Sequence, residues 1–142
     1  MIYLIGSLRN PAIPLLGNKL RVQGHEVFDD WHGAGNEADD KWREYEQLRG
    51  RTYKDALSGY AAKHVFAFDY THLNRCDSAI LVLPAGRSGH LELGYVAGLG
   101  KKTYVLMDDP DRWDIMFQFV FINGGDVFTS EEELLTYFKE TK

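Results

Sequence analysis

Short apolar runs alternate with segments of helical period along the chain. Ile2 to Ile5 is apolar throughout and closes on Gly6, the pattern of a strand buried on both faces. From Pro11 to Gln23, residues Ile13, Leu16 and Leu20 recur at helical spacing, and Gly24 supplies a stop. Glu26-Val27-Phe28 predicts a second strand. The polar run Asp29 to Asp40 that follows is too rich in Gly and Asp for regular structure, although it holds Trp31 and His32. Ala38 to Leu48 and Tyr53 to Phe66 mix charged and aromatic positions with helical character, interrupted at Gly50 and Gly59, and Asp69 to Cys76 predicts a further short helical turn. Ala79 to Leu83 is the most apolar run, the expected central strand, and Pro84 ends it. Ser88 to Leu99 reads as a helix opening from a Gly-rich loop, Thr103 to Met107 as a strand, Asp126 to Phe128 as a short strand and Ser130 to Phe138 as a closing helix. Ser130 and Glu133 stand at the spacing of a capping box.

Strands alternating with helices at these lengths imply a parallel sheet with helices on both faces and right-handed crossovers. The expected fold class is α/β: a flavodoxin-like or Rossmann-like three-layer sandwich with a five-stranded, mainly parallel sheet, with residues 1–142 forming one domain. Ligands on such sheets sit beyond the carboxyl ends of the strands, at the topological switch point. Functional residues are therefore expected just after Ile5, Phe28, Leu83 and Met107.

Composition narrows the partners. With 44% hydrophobic, 13% aromatic and 26% charged residues, the chain is globular rather than disordered or fibrous. The net charge of −5 and the absence of any Lys/Arg block argue against polymeric nucleic acid or an anionic membrane surface as partner. The single cysteine, Cys76, excludes an intramolecular disulfide and a multi-cysteine zinc site. His25, His32, His64, His72 and His90 lack metal-ligand spacing, and Asp108-Asp109-Pro110-Asp111 lacks the calcium-loop pattern, so neither a metal nor a cofactor is expected. No long apolar span or basic leader is present, and a cytoplasmic protein is expected.

The strand ends carry the candidate chemistry. After the first strand, Gly6 permits close backbone approach, Ser7 offers a hydroxyl, and Arg9 can close over an anion or a sugar. An ordinary strand-to-helix turn has the same composition. After the central strand comes Pro84-Ala85-Gly86-Arg87-Ser88-Gly89-His90-Leu91-Glu92. With Ser88 as helix cap, Glu92 falls in the first turn, where the macrodipole favours an ionised carboxylate, the form needed to attack a sugar anomeric carbon. The alternative role for Glu92 is to stabilise its own helix. Asp69 is the candidate second acid, and retaining glycosidic chemistry wants two carboxyls about 5–5.5 Å apart. Asp77, immediately before the central strand, reads as a turn residue. Trp31 and Trp42 can stack on a planar base or simply pack. Gly98-Leu99-Gly100-Lys101 precedes a strand where a phosphate loop must follow one, and reads as a helix C-cap.

These residues together resemble the nucleoside 2-deoxyribosyltransferases and their relatives, the 2'-deoxynucleoside 5'-monophosphate N-hydrolases. Ile2-Tyr3-Leu4-Ile5-Gly6-Ser7 is similar to that family's opening strand and loop, the Asp69-x7-Asp77 spacing to its acidic segment, and Gly89-His90-Leu91-Glu92-Leu93-Gly94-Tyr95 to its nucleophile helix. The resemblance implies that Glu92 attacks C1' of deoxyribose while Asp69 orients the substrate and helps protonate the departing base. It also implies that Tyr3, Gly6, Ser7, Arg9, Trp31, Gly86, Ser88 and Gly89 line the substrate site, with a deoxynucleoside or deoxynucleotide and a nucleobase as ligands. Asp114-Ile115-Met116 resembles a segment that reaches a neighbouring subunit's site, so Asp114 and Met116 join the candidate residues and a homodimer or higher homo-oligomer is expected.

Ser7 and Arg9 suit a 5'-phosphate. Asp114 repels one and suits a free 5'-OH, and Gly86 stands where the family carries Asp or Ser. Two other functions share the same cleft: an NAD-type glycohydrolase, and a nucleotide-binding or sensing module without turnover.

Overall fold

The structure, a computed structural model, describes residues 1–141. Five strands, β1 (Ile2–Ile5), β2 (Val27–Phe28), β3 (Ser78–Val82), β4 (Lys102–Leu106) and β5 (Asp126–Phe128), form one sheet in the order β2-β1-β3-β4-β5. Every pairing is parallel. This is the flavodoxin-like strand order, whose switch point lies between β1 and β3. The helices are α1 (Ala12–Val22), α2 (Ala38–Leu48), α3 (Tyr53–Leu57), α4 (Tyr60–Arg75), α5 (Arg87–Gly98), α6 (Phe119–Ile122) and α7 (Glu131–Glu140). Among the described residues no helix is long and apolar enough to cross a membrane.

The apolar strand runs divide between two cores by the two-residue period of a strand. Ile2, Leu4, Ile80, Val82, Tyr104 and Leu106 pack with Ile13, Leu16 and Leu20 of α1 and Leu134 and Phe138 of α7. Tyr3, Ile5, Ala79, Leu81 and Val105 face the other way, against Leu73 of α4 and Leu93 and Val96 of α5. Tyr3 therefore lies under the two helices that carry Asp69 and Glu92.

Several expected elements shift. The two helical segments expected at Tyr53 to Phe66 and Asp69 to Cys76 form α3 and a longer α4, separated at Gly59. Val65, Phe66, Phe68 and Tyr70 are exposed despite being apolar, although Phe68 still packs on Phe28 at 5.4 Å and Tyr70 on Tyr95 at 5.7 Å, so apolarity does not mark the buried positions of α4. The expected loop between Asp29 and Asp40 contains a 3-10 turn at Asp30–Ala34 and the start of α2. Ser130 caps α7 as expected, its Oγ accepting from the Glu133 N–H at 3.1 Å, although Glu133 reaches back to Thr129 rather than to the cap residue.

Strand β2 pairs with β1 only through Ile2 with Val27 and Tyr3 with Phe28. Beyond it the Trp31 indole N–H donates to the Leu4 carbonyl at 2.7 Å, taking the place of a further ladder bond. The end of β2 is tied to α1 by Arg21, which donates to Asp29 Oδ1 at 2.5 Å and to the Val27 carbonyl at 3.2 Å. Gly17 makes room for this pair, since a Cβ there would stand 2.3 Å from Asp29 Oδ2.

Candidate active site

The helix that carries Glu92 begins one residue earlier than expected. Gly86, in extended backbone, occupies the cap position of α5 with no side-chain cap, and Ser88 lies exposed inside the first turn rather than capping it. Because α5 starts at Arg87, Glu92 is past the first turn, which contains no acidic residue. The helix dipole is thus not what sets its charge, because that influence fades within one turn. Gly89 is buried against the sheet: a Cβ there would lie 3.2 Å from both Ile5 Cγ2 and Leu81 Cδ1. Its hydrogen side chain lets α5 settle directly on β1 and β3, beside the switch point.

Burial pushes the Asp69 carboxyl up to about 6, with His72 holding it back. Glu92 is pushed higher, to about 7, first by burial and then by the negative charge of Asp69, with the Tyr3 hydroxyl opposing the rise as a hydrogen-bond donor. Tyr3 itself is raised far above the usual phenol range by burial, by Glu92 and by Asp69, so it stays protonated and donates. Three side chains from β1, α4 and α5 therefore act on one another's ionisation. Two such carboxyls titrate as a pair. Near pH 6 to 7 the pair holds one proton and one negative charge, and because Glu92 is raised the further, the proton rests mostly on Glu92 and the charge on Asp69.

The spacing of the two acids is braced just beyond them. Tyr95 of α5 donates its hydroxyl to Asn74 Oδ1 of α4 at 2.7 Å. Lys101 closes the end of α4, donating to the carbonyls of Asn74 at 2.5 Å and Leu73 at 3.5 Å. On the other flank Phe28 lies between Tyr3, with ring centroids 4.9 Å apart, and His72, stacked at 3.9 Å and 8°. His72 stands one helical turn after Asp69 on the same helix.

The other expected site residues divide. Trp31 is half-buried at the end of β1, its N–H committed to Leu4. Gly6 is there for packing, since a Cβ would approach Ile13 Cδ1 to 2.6 Å. Ser7 Oγ accepts from the Arg9 backbone N–H at 3.1 Å, and the exposed Arg9 guanidinium pairs with Asp40 at 3.3 Å. Gly86 faces open space. It borders a cavity of about 650 Å³ with Ala85, Arg87, His90 and Leu91.

Asp114 and Met116 are exposed, Asp114 Oδ1 accepting from the Met116 N–H at 2.9 Å at the start of a 3-10 turn whose Phe117 stacks on His90 of α5 at 6.0 Å. Asp77 is tied to the α-amino group of Met1, before β3 and at the opposite end of that strand from Gly86. Gly98 to Lys101 is a helix terminus, with Gly100 at φ 83° and its N–H donating to the Ala97 carbonyl. Among the described residues, no group of three or more His, Cys, Asp or Glu side chains could hold a metal ion.

Comparison with solved structures finds the same architecture. The chain is similar to the CMP N-glycosidase BcmB of Clostridium botulinum, with a TM-score of 0.59 at 16% identity over 96% of this chain and 97% of that one. The likeness is one of fold: a five-stranded parallel sheet between helices. No protein-family model matches the chain, and no curated protein sequence matches it.

Proposed function

We propose that this protein cleaves the N-glycosidic bond of a 2'-deoxynucleoside or its 5'-monophosphate through a deoxyribosyl ester on Glu92, and passes the sugar to another nucleobase or to water. The observation that carries this reading is the convergence of Tyr3 on β1, Asp69 on α4 and Glu92 on α5 on one side of the sheet beside its switch point, where burial and neighbouring charge raise both carboxyls. The shared proton, which rests mostly on Glu92, first passes to Asp69; Asp69 then gives it to the departing base while the Glu92 carboxylate attacks C1'. The C1'–N bond breaks with its electron pair going to the base, and a C1'–O bond to Glu92 forms. Asp69, now ionised, takes a proton from the incoming water or base, which displaces Glu92 as a carboxylate. Protons and electrons balance among the side chains and the substrates, and no cofactor enters. The Tyr3 hydroxyl orients the Glu92 carboxylate by donating to it.

The fold neighbour, named for action on CMP, supports N-glycoside chemistry on this scaffold. Ser7, Gly86, Ser88 and Trp31 line the sugar and base positions in this reading, while Gly6 and Gly89 contribute by letting α1 and α5 pack closely on the sheet. At the 5' end, the pairing of Arg9 with Asp40 reduces its pull on a phosphate. The exposed apolar residues Trp113, Ile115, Met116, Phe119 and Phe121 surround Asp114 on the chain. A second copy of the chain covering them would carry Asp114 and Met116 to the neighbouring site, where Asp114 accepts from a free 5'-OH.

The test incubates the protein with deoxynucleosides, their monophosphates and CMP, each with and without a second base, and separates the products. Free base or an exchanged nucleoside is the expected result, lost in Glu92→Ala. Turnover undiminished in Glu92→Ala, or no base released from any of these substrates, overturns the reading.

A further inference from the structure

The side of α5 turned away from the sheet adjoins an uncovered apolar surface. Gly89, Leu93, Val96 and Ala97 are the buried residues of this helix, so at about 100° per residue Arg87, Leu91, Gly94 and Gly98 fall along the opposite, solvent-facing stripe. Leu91 is 76% exposed there, and a Cβ on Gly94 or Gly98 would meet nothing within 4 Å. The turn before α6, and α6 itself, lie alongside: the Phe117 ring stacks on His90, and Asn123 Nδ2 donates to the Ala97 carbonyl at 2.8 Å. They bring Trp113, Ile115, Met116, Phe119, Phe121 and Ile122, all exposed, to the same region. At about 100 Å² for each exposed side chain, these residues and Leu91 present roughly 700 Å². That exceeds the largest apolar patch of an ordinary monomer and approaches the ~800 Å² that each partner buries in a stable complex.

We propose that this face binds a second copy of the same chain through an antiparallel contact of α5 with the partner's α5 about a twofold axis. The surface is self-complementary, because Leu91 is a knob and the bare backbone at Gly94 and Gly98, one and two turns further on, is a hollow to receive it. In the antiparallel crossing each Leu91 lies on the partner's Gly94 and Gly98, and the same contact is made twice, as an isologous interface requires. Without Cβ atoms on that stretch the two helix axes approach more closely than the usual ~8–10 Å. Arg87, one turn before Leu91, then reaches the carboxyl end of the partner's α5, whose carbonyls favour a cation and whose last turn holds no basic residue of its own. The contact gives a seat to the second copy invoked above and does not depend on the chemistry of Glu92.

The experiment measures the mass of the whole chain in solution, by light scattering after gel filtration at micromolar concentration, for the native protein, Leu91→Glu and Gly94→Gln. Both substitutions fall on exposed positions, and Gly94→Gln favours the helix itself while placing a side chain in the hollow. Circular dichroism checks that each variant is folded. The native protein is expected at twice the mass of one chain and both variants at the mass of one. A native protein of single-chain mass, or a folded variant of either kind that keeps the native mass, overturns the proposal. The mass readout needs no turnover, so a dimer that comes apart in both variants sustains the interface even in a protein that releases no base.

Discussion

The hydroxyl of Tyr95 on α5 donates to Asn74 Oδ1 on α4 at 2.7 Å, close to one turn beyond Glu92 on the first helix and Asp69 on the second. The bond ties the two acid-bearing helices at a point that does not touch either carboxyl. A small change in the separation of reacting groups is costly in rate, while one partly exposed hydrogen bond contributes only about 1 kcal/mol to stability. Tyr95→Phe is therefore expected to lower kcat by about tenfold with a melting temperature within a few degrees of the native protein. Steady-state kinetics and a thermal melt on the same sample check this; unchanged kcat would show that the spacing is held elsewhere.

The pH dependence of stability follows from the direction of the two carboxyl shifts. Asp69 and Glu92 titrate near 6 and 7 in the fold, above their values of 3.8 and 4.5 in the unfolded chain, so folding favours their protonated forms. Their contribution is complete below about pH 4 and is lost as pH rises through the folded values of about 6 and 7. For Glu92 alone the loss is at most on the order of 3 kcal/mol. Glu92→Gln should raise the melting temperature at pH 8 and leave it nearly unchanged at pH 4. Equal melting at pH 8 in the two proteins would mean that this carboxyl is solvated like a surface acid.

Base release should follow a bell in pH, with its limbs given by the pair's two ionisations around 6 and 7. Asp69→Asn removes the proton donor and should lower kcat by about 10²–10⁴-fold, least for substrates whose base leaves readily. A bell of native shape in that variant would assign the alkaline limb to another group.

Gly89 sets how closely α5 lies on the sheet. Gly89→Ala puts a methyl carbon about 3.2 Å from Ile5 and Leu81, tight enough to lift the helix by a few tenths of an ångström. The cost in stability is expected to be about 1–3 kcal/mol, with a further loss of rate as Glu92 moves with its helix. Denaturant unfolding measures the first and single-turnover kinetics the second. A variant of native stability and rate would show that the sheet yields to the methyl group.

The sheet was legible because its strands are short apolar runs bounded by Gly, Pro or polar residues, as at Ile2 to Ile5 and at Ser78 to Val82 before Pro84. Helix α4 was less so, because Val65, Phe66, Phe68 and Tyr70 are apolar yet exposed and obscure which positions are buried. The acids themselves could be chosen from their position near strand ends, but not their charge. The sequence reading put Glu92 in a first turn under the helix dipole, whereas α5 begins at Arg87 and the dominant influences are burial and Asp69, which come from packing between distant segments. Ser88 misled for a related reason: the cap position falls on Gly86, whose lack of a side chain leaves the helix end open.

The most direct test of the account is the mass of the protein stopped by acid during turnover with a deoxynucleoside. The account predicts a fraction heavier by one deoxyribosyl group, localised by digestion to the peptide containing Glu92 and absent from Glu92→Ala. Base released at the native rate with the group on no residue, or on a residue other than Glu92, would contradict it.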